Sequence, residues 1–416
     1  MARIAFLSLV FPPDSVSTAQ IMGELAAELK KMGHELSVLT STPHYNRDPE
    51  AESRQPLDAY WGTILQKSTF CGMPVFHISM PPKSISLKDR MVPFFKFHVL
   101  SIIAGIFVLK KPDIIIVPSP PITMGLCAWL LGLFHRAKYI YDVQEIYPDC
   151  AISLGAIRNE TLIRLLYKLE SFVYSKAALV TVIAPKMAHQ LAAKGVSPSK
   201  IKIIPNFVNI EEMRPLPKDN AFSRQYGIQN KFVVSYAGNM GPAQDLEKLI
   251  DCAQLIQNRA NIHFVIAGEG MWRDKLIEYA GKKNLCNLQI LPYQPYSLVP
   301  KIYASSDLCL VPQLPSITAA AIPSKVYRIM ACARPVLAAT DLQSDLAELV
   351  NKARCGIIVR PGSAEQLAQE ITRASENPAF LQPMGEAGRE HVVKYYTREG
   401  VAKLYNRQIA LLVRTI

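Results

Sequence analysis

The segment Pro323-Ser324-Lys325-Val-Tyr327-Arg328 contains residue types that can bind an anion. It follows an apolar stretch at 307–312 and opens a periodic apolar pattern. Pro and Ser before such a pattern predict a helix start, since a serine hydroxyl can accept a hydrogen bond from an unpaired first-turn N–H group. A helix start at the carboxyl edge of a parallel sheet attracts anions, and Lys325 adds a full positive charge. The segment therefore predicts a diphosphate site with Ser324 and Lys325 as ligands.

Two glycine-containing loops suggest further contacts to a phosphate or a sugar. Gly238-Asn239-Met-Gly241 follows an apolar run at 232–237, and Gly268-Glu269-Gly270 follows one at 262–267. Glycine allows the backbone to approach a ligand closely, and a helix start nearby favours phosphate. Neither loop fits the GxGxxG pattern, which disfavours a nicotinamide or flavin cofactor. A plain turn is the alternative interpretation of each loop.

An acidic segment in the first half could supply a catalytic carboxylate. Asp142-Val-Gln144-Glu145-Ile-Tyr147-Pro-Asp149 ends a predicted strand, so its side chains lie at the edge where ligands bind. Glu145 lies beyond the turn, where it could accept a proton from an incoming hydroxyl group, and we take Asp142 as its catalytic partner. The alternative is a structural loop tied by hydrogen bonds from side chains to the backbone.

Two more polar loops follow the first two predicted strands. Phe11-Pro-Pro-Asp-Ser-Val-Ser17-Thr18 leads into a helix, so Ser17 or Thr18 caps that helix or the same backbone contacts a sugar or phosphate. Thr42-Pro-His44-Tyr45 follows the second strand, and His44 is either an acceptor contact or a structural residue.

Strand and helix patterns alternate through both halves of the chain. Apolar runs typical of buried parallel strands occur at residues 3–10, 34–40, 113–117, 139–143, 179–183, 201–204, 232–237, 262–267, 288–291, 308–311, 336–339 and 356–359. This order predicts the α/β class, with two Rossmann-like doubly wound parallel-sheet domains facing each other across a cleft. We expect domains at 1–205 and 206–385, then C-terminal helices at 386–416, the last of which, 399–414, crosses back to the first domain.

Charge and cysteine content exclude some classes of protein. The 416 residues carry a formal net charge of +12, but Lys and Arg are spread without a basic block or an RNA-binding motif. We therefore expect no nucleic-acid partner, and an anionic membrane or small substrate accounts for the charge. The eight cysteines form no CxxC pair, which favours reduced thiols in a cytoplasmic protein. The apolar start at 1–10 is interpreted as a first strand rather than a signal peptide.

The segment 83–111 departs from ordinary core patterning. It contains the apolar run 93–109 and the basic residues Lys83, Lys88, Arg90, Lys110 and Lys111. Three interpretations remain open: a buried helix, an amphipathic segment on a membrane surface, and a membrane-spanning helix. The shorter run 122–134 predicts a core helix.

Together these residues resemble the retaining glycosyltransferase family 4 with its GT-B fold, in the bacterial branch that builds colanic acid, O-antigen and capsule, which includes fucosamine transferases. Segments along nearly the whole chain carry the resemblance. They are Phe11-Pro-Pro13, Lys31-Met-Gly-His-Glu-Leu-Ser-Val-Leu-Thr40, Pro43-His-Tyr45, Pro118-Ser-Pro-Pro121, Gln144–Pro148, Ile204-Pro-Asn206, Tyr236-Ala-Gly-Asn239 and Pro323-Ser-Lys-Val-Tyr327.

The resemblance implies a nucleoside-diphosphate sugar donor, a UDP-sugar by expectation, bound by the second domain, and an acceptor bound by the first. It implies no metal and no cofactor, because basic side chains and a helix start carry the diphosphate charge. The residues that it assigns to the donor nucleotide and sugar are Gly268, Glu269, Tyr327 and Arg328, and those that it assigns to the acceptor are Ser17, His44, Tyr45 and Tyr147. A polyprenyl-diphosphate acceptor on the inner face of the cell membrane would suit the segment 83–111.

The chain departs from the family pattern at three places. Asn239 and Gln244 stand where many members have Arg and Lys, and Ala320 and Arg328 stand where members have a pair of glutamates. Lys325 and Arg328 are candidates to replace the lost positive charge. Val16-Ser17 replaces a pair of glycines. These departures leave two alternatives to a glycosyltransferase, a non-enzymatic subunit that binds the membrane and sugar nucleotides, and a GT-B epimerase of UDP-amino sugars.

Overall fold

The chain forms two compact units in the computed structural model, which describes residues 1–45, 47–81, 87–314 and 322–414. Unit 1 comprises residues 1–206 together with the segment from Arg398 onward, and unit 2 comprises Phe207–Thr397. Lys83 and Ala320 lie outside the described residues, as do the side chains of Lys88 and Arg90.

Unit 1 combines a sheet of nine described strands with helices. Its strands are β1 Arg3–Leu7, β2 Glu35–Ser41, β3 Asp58–Trp61, β4 Leu65–Phe70, β5 Met73–Ile78, β6 Ile114–Ser119, β7 Lys138–Val143, β8 Leu179–Val182 and β9 Ile201–Ile203. Its helices are α1 Ser17–Lys31, α2 Pro49–Arg54, α3 Leu87–Val108, α4 Thr123–His135, α5 Asp149–Ser153, α6 Glu160–Lys176, α7 Pro185–Ala193 and, near the end of the chain, α16 Arg398–Val413.

The sheet of unit 1 is mixed rather than wholly parallel. Its order is β3-β4-β5-β2-β1-β6-β7-β8-β9, and β4 runs antiparallel to both of its neighbours. The central strand β6 is buried along its whole length, as expected of a parallel strand covered on both faces. Sequence analysis missed β3, β4 and β5. The turn between β4 and β5 is Cys71-Gly72, with both residues at positive φ. Because cysteine is an unusual residue in such a turn, the sequence did not signal a hairpin there.

Helix α16 belongs to unit 1, where polar contacts hold it along its length. Its first residue, Arg398, pairs with Glu28 at 2.8 Å, and Asn406 lies 2.8 Å from a ring nitrogen of His34. Near its end, the carbonyl oxygen of Leu412 accepts from Lys138 at 3.0 Å.

Unit 2 is a parallel sheet of six described strands in the order β12-β11-β10-β13-β14-β15. Its strands are β10 Phe232–Ala237, β11 Ile262–Ala267, β12 Leu288–Leu291, β13 Leu308–Pro312, β14 Val336–Ala339 and β15 Gly356–Val359. Its helices are α8 Ala221–Gln225, α9 Leu246–Leu255, α10 Arg273–Gly281, α11 Val299–Ala304, α12 Lys325–Ala331, α13 Asp345–Ala353, α14 Ala364–Glu376 and α15 Leu381–Tyr395. All six strands agree with the sequence prediction.

Unit 2 extends beyond residue 385, where sequence analysis ended the second domain. Helix α15 packs so closely on the turn after α12 that a Cβ on Gly385 would lie 2.2 Å from the carbonyl oxygen of Ala333. Because this contact fixes α15 within unit 2, residues 386–397 belong to unit 2 and only the segment from Arg398 joins unit 1.

Helix α3 is buried only in part, so its described side chains do not fit the interpretation of 83–111 as a fully buried helix. Only 28% of the window Met91–Val108 is buried, and this helix is long and apolar enough to cross a membrane by length and composition alone. The last turn of α4 is exposed as well, with Leu133 at 61% and Phe134 at 60%, so the predicted core helix is buried only up to that turn.

Candidate functional site

At the carboxyl edge of the unit 2 sheet, the loops after β10 and β11 pack directly on each other. The N–H of Gly238 donates to the carbonyl oxygen of Ala267 at 2.9 Å, and the N–H of Met240 donates to the backbone carbonyl oxygen of Glu269 at 2.7 Å. A Cβ on Gly268 would lie 1.9 Å from the carbonyl oxygen of Gly238. The glycine of the second loop is therefore required by backbone packing, a reason that the sequence pattern did not reveal.

Lys325 lies at the same edge, over the face of an aromatic ring. Its ammonium is 3.6 Å from the ring centroid of Tyr236, and a Cβ on Gly238 would come within 2.8 Å of Nζ. Among the described residues no carboxylate pairs with this ammonium. The surrounding protein lowers the pKa of Lys325 far below the usual lysine value, and the positive charge of Arg328 acts in the same direction. The arrangement leaves a cation poised for an anion.

Ser324 does not cap helix α12, contrary to the prediction. It has helical backbone angles, φ −57° and ψ −23°, and its side chain makes no capping hydrogen bond. A capping residue needs extended backbone angles to turn its side chain back onto the first-turn N–H groups. Its role as a diphosphate ligand stays a prediction.

The loop after β10 is closed by its own side chains. The side-chain oxygen of Gln244 accepts from the N–H of Gly241 at 3.0 Å, and it lies 3.5 Å from the amide nitrogen of Asn239. Gln244 therefore shapes the loop, while Asn239 and Gly241 stay predicted diphosphate ligands. In the next loop, the exposed Glu269 accepts from the N–H of Tyr293 at 3.3 Å, so its carboxylate remains at the edge.

Tyr327 and Arg328 point to different environments. Tyr327 is fully buried, with its ring centroid 4.7 Å from that of Tyr396, and its hydroxyl finds no hydrogen-bond partner within the described part of the chain. A fully buried side chain cannot contact a nucleotide at the edge, so the donor role predicted for Tyr327 does not fit its placement. The guanidinium of Arg328 lies 5.1 Å from the ring centroid of Tyr296, one helical turn from Lys325.

In unit 1, Asp14 joins the two polar loops that follow β1 and β2. Its carboxylate accepts from the N–H groups of His44 at 3.2 Å and Tyr45 at 2.9 Å. His44 is buried, with Nδ1 2.9 Å from the hydroxyl oxygen of Ser41, whereas Tyr45 is 39% exposed. His44 and Tyr45 are both predicted acceptor contacts, and of this pair Tyr45 is the one that a ligand can reach.

Neither Ser17 nor Thr18 caps helix α1, although sequence analysis offered both. The N-cap position is Val16, and no side chain makes a capping hydrogen bond there. Ser17 is the first helical residue and is half-buried at the same edge as Asp14. Its contact with an acceptor stays a prediction.

Asp142 is buried at the end of β7 in a hydrogen-bond network. One carboxylate oxygen accepts from Thr181 at 2.7 Å and from Tyr405 of α16 at 2.9 Å, and the other accepts from Gln144 at 2.7 Å. The Gln144 side-chain oxygen in turn accepts from Asn206 at 2.8 Å. Burial raises the pKa of Asp142, and these three donors oppose that effect. Asp142 has no exposed surface, so its predicted direct part in catalysis does not fit its placement.

Glu145 emerges from the same loop with its side chain exposed to solvent. The protein around its carboxylate raises the pKa, and a hydrogen bond from the Cys150 thiol acts in the opposite direction. The carbonyl oxygen of Glu145 accepts from Ser119 at 3.2 Å, and Tyr147 is half-buried beside it in the chain. A raised carboxyl pKa at an exposed edge suits a general base, so Glu145 remains the candidate for proton transfer.

Three partners of these residues were missed by sequence analysis: Tyr236, Cys150 and Tyr405. Tyr236 and Tyr405 lie far along the chain from Lys325 and Asp142, the residues that they contact. Cys150 lies just beyond the turn that follows Glu145. No spacing in the sequence links these residues to their partners. Among the described residues, no group of three or more His, Cys, Asp or Glu is placed to hold a metal ion. Metal independence stays a prediction.

Comparison with known proteins matches both units. Residues 18–206 match the glycosyl transferase 4-like domain, and residues 218–391 match the glycosyl transferases group 1 domain. WcaI of Escherichia coli (strain K12), named as a colanic acid biosynthesis glycosyl transferase, is 24% identical over 98% of this chain and 99% of its own.

Two solved structures share the fold across the whole chain. Sucrose-phosphate synthase from Thermosynechococcus elongatus has a TM-score of 0.77 at 17% identity, with 100% of both chains covered. Anabaena Alr3699/HepE, in complex with UDP and glucose, has a TM-score of 0.74 at 15% identity, with 99% of this chain and 100% of that chain covered. The chain is thus a glycosyltransferase of the GT-B type, built from a glycosyl transferase 4-like domain and a glycosyl transferases group 1 domain.

Proposed function

We propose that this glycosyltransferase moves a hexose or amino sugar from a UDP-sugar to a lipid-linked polysaccharide intermediate, with retention at the anomeric carbon and without a metal. The relation to WcaI supports a polysaccharide product, and the UDP-bound HepE, which shares the fold, makes UDP the first nucleotide to test.

The single observation that carries the donor proposal is the ammonium of Lys325. It has an aromatic ring on one side and the glycine loop on the other, with no carboxylate partner among the described residues. A partly desolvated cation with a lowered pKa gains from an anion, because the anion restores the stability of its charged form. A donor diphosphate provides such an anion, and Arg328 adds a second positive charge one turn away.

In the proposed reaction, the bond between the sugar carbon and the diphosphate oxygen breaks while the acceptor oxygen bonds to the same carbon. Lys325 stabilises the negative charge that develops on the leaving diphosphate. The acceptor hydroxyl attacks from the face that the diphosphate leaves, which retains the configuration, and its proton passes to Glu145 or to the departing diphosphate. These cations supply the charge that a divalent metal would otherwise provide.

The proposed acceptor is carried on a lipid, and the enzyme works as a peripheral protein at the cytoplasmic face of an anionic membrane. Helix α3 supports this proposal, because its exposed surface is a row of apolar side chains that we call the apolar stripe. The stripe comprises Met91, Val92, Phe95, Val99, Ile103 and Phe107. Lys96, Lys110 and Lys111 are also exposed around it, and such a mixture is typical of helices that lie in a membrane interface.

The test of the donor site is thermal unfolding with UDP, GDP, ADP and their sugar derivatives. A ligand present at about a hundred times its Kd adds about 2.7 kcal/mol to apparent stability. We expect a shift with UDP in the wild type. Lys325→Ala should weaken UDP binding by about 1.5–3 kcal/mol, the range for a hydrogen bond to a charged group.

The matched control is Lys282→Ala in the same unit, since Lys282 is exposed and forms a salt bridge with the exposed Glu278. It should leave the UDP shift unchanged. Equal shifts in Lys325→Ala and the wild type would remove Lys325 from the donor site. No shift with any nucleotide would count against the donor proposal and favour the alternative of a non-enzymatic subunit.

A further inference from the structure

The loop that carries Glu145 is tied to two neighbouring helices through Lys194. The Lys194 ammonium lies 2.9 Å from a carboxylate oxygen of Asp149 and 2.8 Å from each carboxylate oxygen of Glu170. Asp149 is the first residue of α5, directly after the loop, whereas Glu170 lies on α6 and Lys194 follows the last residue of α7. One side chain thus joins three segments of unit 1.

A link between α6 and α7 explains only part of this arrangement. Glu170 is buried, with 3% of its side chain exposed, and its carboxylate also accepts from the Tyr174 hydroxyl at 3.1 Å. A buried carboxylate is stable only with a charged or hydrogen-bonding partner, so the pair of Glu170 and Lys194 follows from burial alone. That pair does not require Asp149, because the ammonium already contacts both oxygens of Glu170.

Asp149 is held by residues that lie on the side of α6 and α7. The ring centroid of Tyr167, on α6, is 5.0 Å from the Lys194 ammonium. Burial, and then a hydrogen bond to Asp149, raises the pKa of Tyr167 to about 12. Lys194 and Tyr167 therefore fix the start of α5 against α6.

The start of α5 in turn determines the surroundings of Glu145. Cys150 directly follows Asp149, and its N–H donates to the carbonyl oxygen of Ile146 at 3.0 Å. The Cys150 thiol donates a hydrogen bond to the Glu145 carboxylate. A displaced Asp149 would move Cys150 with it, because the two are consecutive residues of α5. The contacts thus run from Lys194 through Asp149 and Cys150 to Glu145.

We propose that Lys194 is a positioning residue that holds the Glu145 carboxylate against the Cys150 thiol at the carboxyl edge of unit 1. Lys194 acts through Asp149 and does not itself touch the reacting groups. A base works only within hydrogen-bond reach of the attacking hydroxyl, and a displacement of about 1 Å slows a reaction strongly. The inference rests on the proposed function, in which Glu145 is the candidate base.

The test is a double-mutant cycle of Lys194→Met and Glu145→Gln, read out by alkylation of Cys150. Cys150 is partly exposed, and its reaction with iodoacetamide is quantified on the peptide that contains it. Burial, and then the charge of Glu145, raises the pKa of the thiol to about 12. Because the thiolate is the reactive form, Glu145→Gln should speed alkylation by about fivefold when Lys194 is present.

A carboxylate that is no longer held against the thiol should not control its reactivity. In Lys194→Met we therefore expect Glu145→Gln to change the alkylation rate by less than about twofold. A fivefold effect that persists in Lys194→Met would overturn the proposal. So would the lack of any effect when Lys194 is present, because the thiol and the carboxylate would then not be in contact.

The variant Asp149→Asn tests the same path if Lys194→Met fails to fold. It weakens the bond to the loop but leaves the pair of Lys194 and Glu170 in place, so α6 and α7 stay linked. We expect it to lose the effect of Glu145→Gln as Lys194→Met does, and an effect of full size in Asp149→Asn would overturn the proposal. Lys194→Arg keeps the charge and should retain the effect.

The matched control is Lys283→Met in unit 2, which removes a lysine in similar surroundings. The Lys283 ammonium lies 3.0 Å from a carboxylate oxygen of Asp251 and 4.8 Å from the ring centroid of Tyr279. Its removal should lower stability without changing the effect of Glu145→Gln on Cys150. Loss of that effect in the control would mean that general destabilisation abolishes it, which would overturn the role of Lys194.

Failure of the proposed function would give a different pattern. The alkylation cycle contains no substrate, so its outcome does not depend on whether Glu145 transfers a proton. Normal turnover in Glu145→Gln would contradict the role of Glu145 as a base and leave its position relative to Lys194 standing. Reduced turnover in Glu145→Gln, together with a fivefold effect that persists in Lys194→Met, would overturn only the role of Lys194.

Discussion

The carboxyl edges of the two sheets are built in different ways. In unit 2 the loops after β10 and β11 contact each other through backbone atoms, and the ammonium of Lys325 lies beside Gly238 of the first loop. In unit 1 the loops after β1, β2 and β7 are held by buried carboxylates, Asp14 and Asp142, that accept several hydrogen bonds each.

The difference indicates how each edge meets a ligand. An edge of glycine backbone and basic side chains suits the ligand that we propose for it, a diphosphate, which is a charged group that many donors share. An edge shaped by side chains and their partners can vary with the acceptor, because each side chain changes without disturbing a tightly packed backbone. The predictions below test this contrast.

Breaking the backbone packing of unit 2 should have the largest effect. In Gly268→Ala the new Cβ would lie 1.9 Å from the carbonyl oxygen of Gly238, at a φ of +154°. We expect a loss of about 3 kcal/mol or more in the free energy of unfolding, measured by denaturant titration. Gly281→Ala, with nothing within 4 Å of its Cβ, is the control and should be neutral or stabilising. Similar stability of the two variants would contradict the packing argument.

Removing the Glu145 carboxylate of unit 1 should act on turnover rather than on donor binding. Glu145→Gln should lower kcat by about 10²-fold or more, the usual contribution of a positioned base, with the UDP affinity unchanged. Normal turnover would leave Glu145 as a structural loop residue.

The variant Cys150→Ala tests the role of Glu145 through the pH dependence of turnover. The thiol hydrogen bond lowers the Glu145 pKa, so its removal should raise that pKa further. A base acts in its ionised form, so the acidic limb of the pH–rate profile should move to higher pH. If the acidic limb of the pH–rate profile does not move in Cys150→Ala, that limb reports the ionisation of a group other than Glu145.

The cation of unit 2 should make donor binding depend on pH. Because the pKa of Lys325 is lowered, its charge is lost as pH rises through a range below the usual lysine value. UDP affinity should therefore fall in that range, and binding should take up a proton there, since the diphosphate stabilises the charged form. Calorimetry in buffers of different ionisation enthalpy measures this uptake. Lys325→Arg, which stays charged, should abolish it; uptake that persists would come from another group.

Trimming one hydrogen bond from the unit 1 network should have the smallest effect. Tyr405→Phe removes one donor to Asp142 while Thr181 and Gln144 remain, so we expect a loss of about 1 kcal/mol in the free energy of unfolding. Tyr395→Phe, at a half-exposed tyrosine of unit 2, serves as the control and should change little. A loss in Tyr405→Phe no greater than in the control would show that α16 is held by its other contacts.

Sequence patterning located the elements of unit 2 better than those of unit 1. Most strands of unit 2 are largely apolar runs, and such runs are easily recognised because both faces of a parallel strand are buried. The missed strand β3 is exposed at all four residues, and β4 is mostly polar with buried residues only at Leu65 and Ser68, so neither has a continuous apolar run. The sequence correctly assigned Glu145 to an exposed loop, but the same reasoning could not separate it from the buried Asp142.

The sequence by itself determined the α/β class, the positions of most strands along the chain, the glycine loops and the position of Lys325 at a sheet edge. These features depend on local periodicity and on residue types at strand ends. Only the tertiary structure decided that Lys325 lies on Tyr236, that α16 covers Asp142, that Tyr327 is buried and that α3 faces outward. Each of these depends on contacts between elements far apart in the chain, and local periodicity carries no information about which distant element covers a given side chain.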